Sequence, residues 1–209
     1  MIATFSRALI LAAIFSCLTA GQILAKDVIV DFKPEAIDLV DKAGRGSSLN
    51  VLKEDWLEIK VEFDLDSGAE QKMVEELTFK FYIWAYDFLG DGGEEPVTLV
   101  GETTFINVPD EKDHIVSMYL SPSAQHRYGG PDHKNLFKKA GAKNKEFNIH
   151  VEALVSGNVV GETDLIKKGF EKGWFTGGKK VENVLIEVQD SPFWSADAIK
   201  YNQIKKSRR

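Results

Sequence analysis

Residues 56–65 read Trp56-Leu57-Glu58-Ile59-Lys60-Val61-Glu62-Phe63-Asp64-Leu65, and this stretch decides the fold class. Leu57, Ile59, Val61, Phe63 and Leu65 alternate with Glu58, Lys60, Glu62 and Asp64. A period of two sends successive side chains to opposite faces of an extended strand, so one face is buried and the other is charged. Asp66-Ser67-Gly68 then turns the chain. Leu77, Phe79, Phe81, Ile83 and Ala85 alternate with Thr78, Lys80, Tyr82, Trp84 and Tyr86 in a second strand. Its outer face becomes aromatic toward Tyr86 and therefore needs a cover.

Outward from these two strands, a Gly-rich acidic loop over residues 90–96 leads to a third strand at 97–108. Pro109-Asp110 leads to a fourth at 115–120. Residues 121–142 break the rhythm with two prolines and Gly129-Gly130 and read as an inter-sheet crossing, in which 135–140 can form one or two helical turns. Strands at 147–155 and 159–164 flank Ser156-Gly157-Asn158, where Gly157 and Asn158 tolerate the positive φ of a tight hairpin turn. A further strand at 181–188 follows the glycine-rich residues 173–178, and residues 28–32 supply an edge strand at the start. Seven or eight short strands with weak helix signals between them define an all-β protein, a two-sheet β-sandwich.

The chain has 209 residues, 44% of them hydrophobic and 28% charged, with a formal charge of −6. That composition supplies one core and is too apolar for a disordered segment. Residues 1–25 read as a secretory signal peptide: Arg7 precedes an apolar run over 8–18, small residues follow at Thr19, Ala20 and Gly21, and cleavage is expected after Ala25 or Ala20. Residues 26–195 are then the sandwich. Residues 196–209 form a basic tail, helical or disordered, that ends in Lys205, Lys206, Arg208 and Arg209. Cys17, the only cysteine, lies in the signal segment. The mature chain therefore has no disulfide framework, thiolate metal site or cysteine nucleophile, and lacks the antibody-type cysteine pair. Arg7 is the one charged residue among residues 1–25, so the mature chain carries −7. That sign argues against nucleic acid or an anionic membrane surface as a partner. Membrane contact is expected only through an uncleaved signal segment. The apolar run also precedes Gly21, whereas a type IV prepilin places it after the cleavage site.

No motif selects a catalytic centre, a cofactor or a metal. His126 and His133, with Asp132 adjacent, fit no compact ligand spacing and read as loop residues. His114 beside Asp113 marks a strand start, and His150 between Ile149 and Val151 faces outward from a strand; no Gly-x-Ser-x-Gly accompanies either. Asp64, Asp66 and Glu75 match positions 1, 3 and 12 of a calcium loop, but position 6 is Ala69 where glycine makes the bend. These acids, like Asp87, Asp91, Glu94 and Glu95, read as acidic loops. The aromatic set Tyr82, Trp84, Tyr86, Trp174, Phe175, Phe193 and Trp194 is the strongest remaining signal. Its leading reading is packing, with residues 173–175 and 193–194 covering the outer face of the second strand. The alternative is a secreted carbohydrate-binding module in which Trp84, Tyr86 and Trp174 stack on sugar rings.

A family resemblance adds to this reading. The segments at 56–63 and 116–122, with Arg127-Tyr128-Gly129, Gly173-Trp174-Phe175 and Ser191-Pro192-Phe193-Trp194, stand in an order that resembles a pilus-like protein family of Verrucomicrobiota encoded beside type IV pilus genes. The resemblance implies an immunoglobulin-like fold related to subunits of archaeal type IV filaments. It also implies a non-enzymatic structural or adhesion role in a pilus-associated or cell-surface assembly. The implied partners are envelope or pilus assembly proteins, or further copies joined through edge strands. Residence would be outside the cytoplasm, in the periplasm, at the outer membrane or on the cell surface.

Overall fold

The computed structural model describes residues 28–42, 56–68, 72–88, 95–129, 148–166 and 170–194. The signal segment 1–25, the helical turns expected at 135–140 and the tail 196–209 lie outside the described residues. Among the described residues, nine strands form two sheets. The first sheet has the order β1 (Ile29–Lys42), β2 (Trp56–Asp66), β5 (His114–Leu120) and β9 (Leu185–Glu187). The second has the order β7 (Asn158–Leu165), β6 (Ile149–Val155), β3 (Met73–Asp87), β4 (Glu95–Pro109) and β8 (Lys179–Glu182). The chain crosses between sheets from β2 to β3, from β4 to β5 and from β5 to β6, while β1–β2, β3–β4 and β6–β7 pair as antiparallel neighbours. Apart from β8 and β9, this is the Greek-key order of an immunoglobulin-like sandwich.

The alternation in β2 produces the expected inner face. Leu57, Ile59, Val61, Phe63 and Leu65 are all buried, as are Leu77, Phe79, Phe81, Ile83 and Ala85 of β3. Phe63 and Phe79 meet across the sheets with ring centroids 4.7 Å apart, and Phe105 of β4 lies edge-on to Phe79 at 6.0 Å. Edge-to-face and tilted rings fill this layer better than parallel ones, because the positive ring edge meets the negative face.

Four local readings are corrected. The edge strand expected at 28–32 runs on as far as Lys42, and its register with β2 shifts between Phe32 and Ile37, where Pro34 lacks an N–H and Glu35 takes φ 58°. The hairpin turn uses Ser156 (φ 51°) and Gly157 (φ 79°), with Val155 opposite Asn158, so the positive φ falls one residue earlier than Gly157-Asn158. The strand expected at 181–188 is two strands. β8 pairs in parallel with β4 and β9 pairs antiparallel with β5, because Asn183 (φ 61°) turns the chain out of the second sheet and into the first. Within the 121–142 crossing, a helix α1 forms at Pro122–Tyr128. Ser121 accepts the Ala124 N–H at 3.3 Å and Pro122 occupies the first turn, the ordinary start signal of a helix. Arg127 near the end of α1 ties it to β3: its guanidinium donates from Nε and Nη2 to the two oxygens of buried Asp87 at 3.1 and 3.0 Å.

Two glycines mark close approaches. A Cβ on Gly101 would lie 2.6 Å from Leu185 Cβ, where β9 enters beside β4, and one on Gly161 would lie 2.4 Å from the Val30 carbonyl oxygen, where β7 passes β1. Nothing lies within 4 Å of a Cβ on Gly177, whose φ is −106°. Gly161→Ala is expected to lower unfolding stability by about 1–3 kcal/mol through overpacking against backbone, whereas Gly177→Ala leaves it within about 0.5 kcal/mol. Urea unfolding of both variants checks this, with the midpoint shifting and the slope unchanged.

Candidate functional site

With the core sealed, any site must lie on an outer face, an edge or a groove between them. The outer face of the first sheet is less open than the alternation of β2 suggests. Glu58, expected on a charged face, is buried, and its Oε1 accepts from the Ser117 hydroxyl at 2.9 Å and the Tyr119 phenol at 3.0 Å. Phe193 stacks on Tyr119 at 5.3 Å and meets Trp56 edge-on at 5.9 Å. The turn that delivers it is locked by Ser191, whose hydroxyl donates to the Val188 carbonyl at 2.7 Å and accepts the Phe193 N–H at 3.2 Å. Phe193 therefore covers the first sheet rather than the β3 face assigned to it from sequence, because β9 carries the chain across before residue 193 is reached.

Residues 173–175 do cover the outer face of β3, as expected. Phe175 lies flat on His150 of β6, with ring centroids 3.6 Å apart and planes 9° apart, and sits 5.1 Å from Tyr82. Phe170 packs on Trp84 at 5.0 Å, and Trp84 meets Tyr86 at 4.5 Å. Trp174 touches Phe170 and Phe175 nearly at right angles. Trp84, Tyr86 and Trp174, the residues assigned to glycan contact, are all half-buried. The Trp84 and Tyr86 planes differ by 72°, and Phe170, which stands between Trp84 and Trp174, is steeply inclined to both at 73° and 85°. The geometry is that of a packed pile of rings.

Beneath that cover lies a polar cluster. His150 is 1% exposed, and its Nδ1 donates to Asp164 Oδ1 of β7 at 2.7 Å. Its Nε2 has no hydrogen-bond partner and lies 3.6 Å from Glu152 Oε1. The Tyr82 hydroxyl donates to Glu152 Oε2 at 2.9 Å, and burial, with Glu152 beside it, holds this phenol above its ordinary range. Lys180 of β8 lies over the Tyr82 ring at 5.7 Å. His150 faces outward as read from sequence, but the covering ring buries it.

A groove of about 550 Å³ lies beside the β8-to-β9 crossing, lined by Lys80, Glu102, Glu182, Glu187 and Asp190 among others. Burial pushes the Glu187 carboxyl above its usual range, and Asp190 and Glu102 add to the shift. Hydrogen bonds from Thr103 at 3.1 Å and Gln189 at 2.9 Å oppose it.

The remaining sequence candidates serve local structure. His114 is half-buried, donates from Nε2 to the Pro109 carbonyl at 3.0 Å and stacks on Phe63. Asp64 accepts the Asp113 N–H at 2.9 Å, Asp66 accepts the Gly68 N–H at 3.0 Å, and Glu75 is exposed on β3. Asp113 pairs with Lys33, and Glu95 pairs with Lys179 at 2.9 Å. His126 is exposed on α1; Asp91, Glu94, Asp132 and His133 lie outside the described residues. Among the described residues, no group of three or more His, Cys, Asp or Glu is arranged to hold a metal, and no helix is long and apolar enough to cross a membrane.

The fold and its covered faces define a two-sheet sandwich of immunoglobulin-like topology with a C-terminal segment wrapped over both sheets. A protein-family model matches residues 43–208, and the chain belongs to that family. In fold it is similar to a protein of Akkermansia muciniphila known from a crystal structure, at 21% identity and a TM-score of 0.64, over 86% of this chain and 94% of that one. Akkermansia belongs to the Verrucomicrobiota, and the likeness agrees with the sandwich fold expected from sequence. No curated protein matches the chain.

The raised Glu187 fixes the sign of one pH effect. A carboxyl that holds its proton more tightly when folded than when unfolded makes the fold less stable as pH rises through that interval. Glu187→Gln is expected to raise the melting temperature at pH 7, and the gain disappears below the ordinary carboxylate range, where both forms are neutral. Calorimetry of both proteins from pH 3 to pH 7 tests this.

Proposed function

We propose that the mature chain is an exported, non-enzymatic structural or adhesion component of a pilus-associated or cell-surface assembly. The observation that carries this reading is the covering of the aromatic and polar patch on each outer face. Phe193 closes one sheet over Glu58 and Tyr119, and Phe170, Trp174 and Phe175 close the other over Tyr82, Trp84 and His150. Ionisable groups on these faces bond to one another, as His150 does with Asp164 and Lys80 does with Glu102. A rigid module of this kind suits a role in which its rim is touched by neighbours, and sheet edges recruit partners through backbone groups. The signal-like residues 1–25 and the resemblance to a pilus-like family support the same reading.

The available edges differ. β1 and β7 each carry a register shift and pass close to one another at Val30 and Gly161, while Val159 of β7 is half exposed and Lys179 and Lys180 of β8 are exposed. In cells that express the native chain, the protein is expected to sediment with filaments or the outer envelope and to be lost on protease shaving of intact cells. Val159→Lys or Lys180→Glu is expected to release it while leaving its circular dichroism unchanged. A soluble protein without partners, untouched by external protease, would refute the assignment.

A further inference from the structure

We propose that residues 204–209 of this chain add as an antiparallel strand to the open edge of β4, in the groove beside the β8-to-β9 crossing. Among the described residues, β8 pairs with β4 only from Val97 to Val100, whereas β3 runs along the opposite side of β4 as far as Pro109. From Gly101 onward, one side of β4 therefore has no strand beside it. Asn107, at φ 53°, interrupts the regular extended backbone, so the open run is residues 101–106. In such a run every second residue directs its N–H and C=O outward, which is a template for one more strand.

The groove sets the chemistry of that strand. Its lining holds four acids, Glu102, Glu182, Glu187 and Asp190, against one base, Lys80, which lies 3.7 Å from Glu102. Glu102 and Glu182 stand on the outer side, since Gly101 approaches Leu185 on the inner side and Val181 packs on the core. Glu187 stands on the inner side, where buried Thr103 donates to it at 3.1 Å. Acids on both sides match a strand with cations at successive positions, and Lys205, Lys206, Arg208 and Arg209 provide them. The far end of the run fixes the register. Ile106 is 37% exposed and lies five residues from Gly101, as Ile204 lies five from Arg209. With Ile204 opposite Ile106, Arg208 falls opposite Glu102 on the outer side, and Arg209 falls beside Gly101 on the side of Glu187 and Asp190. The tether makes the same chain the source. The ten steps from Trp194 to Ile204 span up to about 33 Å, and so short a link holds the tail at an effective concentration in the mM range that a second copy does not reach. The inference stands apart from where the protein resides.

The test uses the intact mature protein. No cysteine follows Cys17, so a nitroxide attached at Gln203→Cys reports on the tail alone. At low salt it is expected to broaden the backbone amide NMR signals of residues 101–106. An equal mixture of unlabelled protein bearing the nitroxide and ¹⁵N-labelled protein without it is expected to show no broadening. Glu102→Arg is expected to abolish the broadening, and adding Arg208→Glu to that variant is expected to restore it. Glu171→Arg, away from the groove, makes the same change of charge and is expected to leave the broadening intact. Three results would each overturn the proposal: no broadening in the otherwise native chain, broadening in the mixture, which would make a second copy the occupant, or a double variant that fails to restore it.

Discussion

A sheet that is apolar on its inner face and carries large aromatic and buried polar groups on its outer face needs two partners, and this requirement organises the molecule. The inner faces of β2 and β3 meet each other through Phe63 and Phe79. The outer faces of the two sheets carry Tyr119 and Glu58 on one side and Tyr82, Trp84 and His150 on the other, residues too large or too polar to be left without a cover or a bond. Residues 170–194 supply both covers. They lay Phe175 over the second sheet, add β8 to its edge, cross at Asn183, add β9 to the first sheet, and end with Phe193 on Tyr119. With no cysteine after Cys17, cohesion rests on this wrapping and on the bonds beneath it.

The same wrapping explains what the chain revealed before its structure and what it hid. The alternation from Leu57 to Leu65 and from Leu77 to Ala85 was readable because each strand buries its own period-two face, and the two-sheet class follows from that pattern. The need for a cover over Tyr82 and Trp84 was readable as well, since aromatic rings on an outer face rarely stay exposed. The burial of Glu58 was not, because its partners Ser117 and Tyr119 come from β5 and the ring on Tyr119 from Phe193, which nothing in the local pattern around Glu58 announces. Likewise, Val181-Glu182-Asn183-Val184-Leu185 reads as one strand until the positive φ of Asn183 divides it between two sheets.

The helix Pro122–Tyr128 is a different kind of miss. Ser121-Pro122 is a recognisable helix start, but the prolines and glycines of 121–142 signal a crossing, which the segment also is. Of the site, the residue types under Phe175 were visible and their assembly was not. Asp164, Glu152 and Tyr82 come to His150 from three strands, through a register that depends on the Ser156-Gly157 turn and the bulge after it.

The late position of the wrapping segment has a consequence for biogenesis. β4 waits for β8 and β5 waits for β9, so neither sheet can reach its final width while residues 179–187 are still being threaded or synthesised. Contacts this distant along the chain form slowly and last. A polypeptide so arranged stays unfinished throughout its synthesis and completes both sheets only once residues 179–187 have emerged.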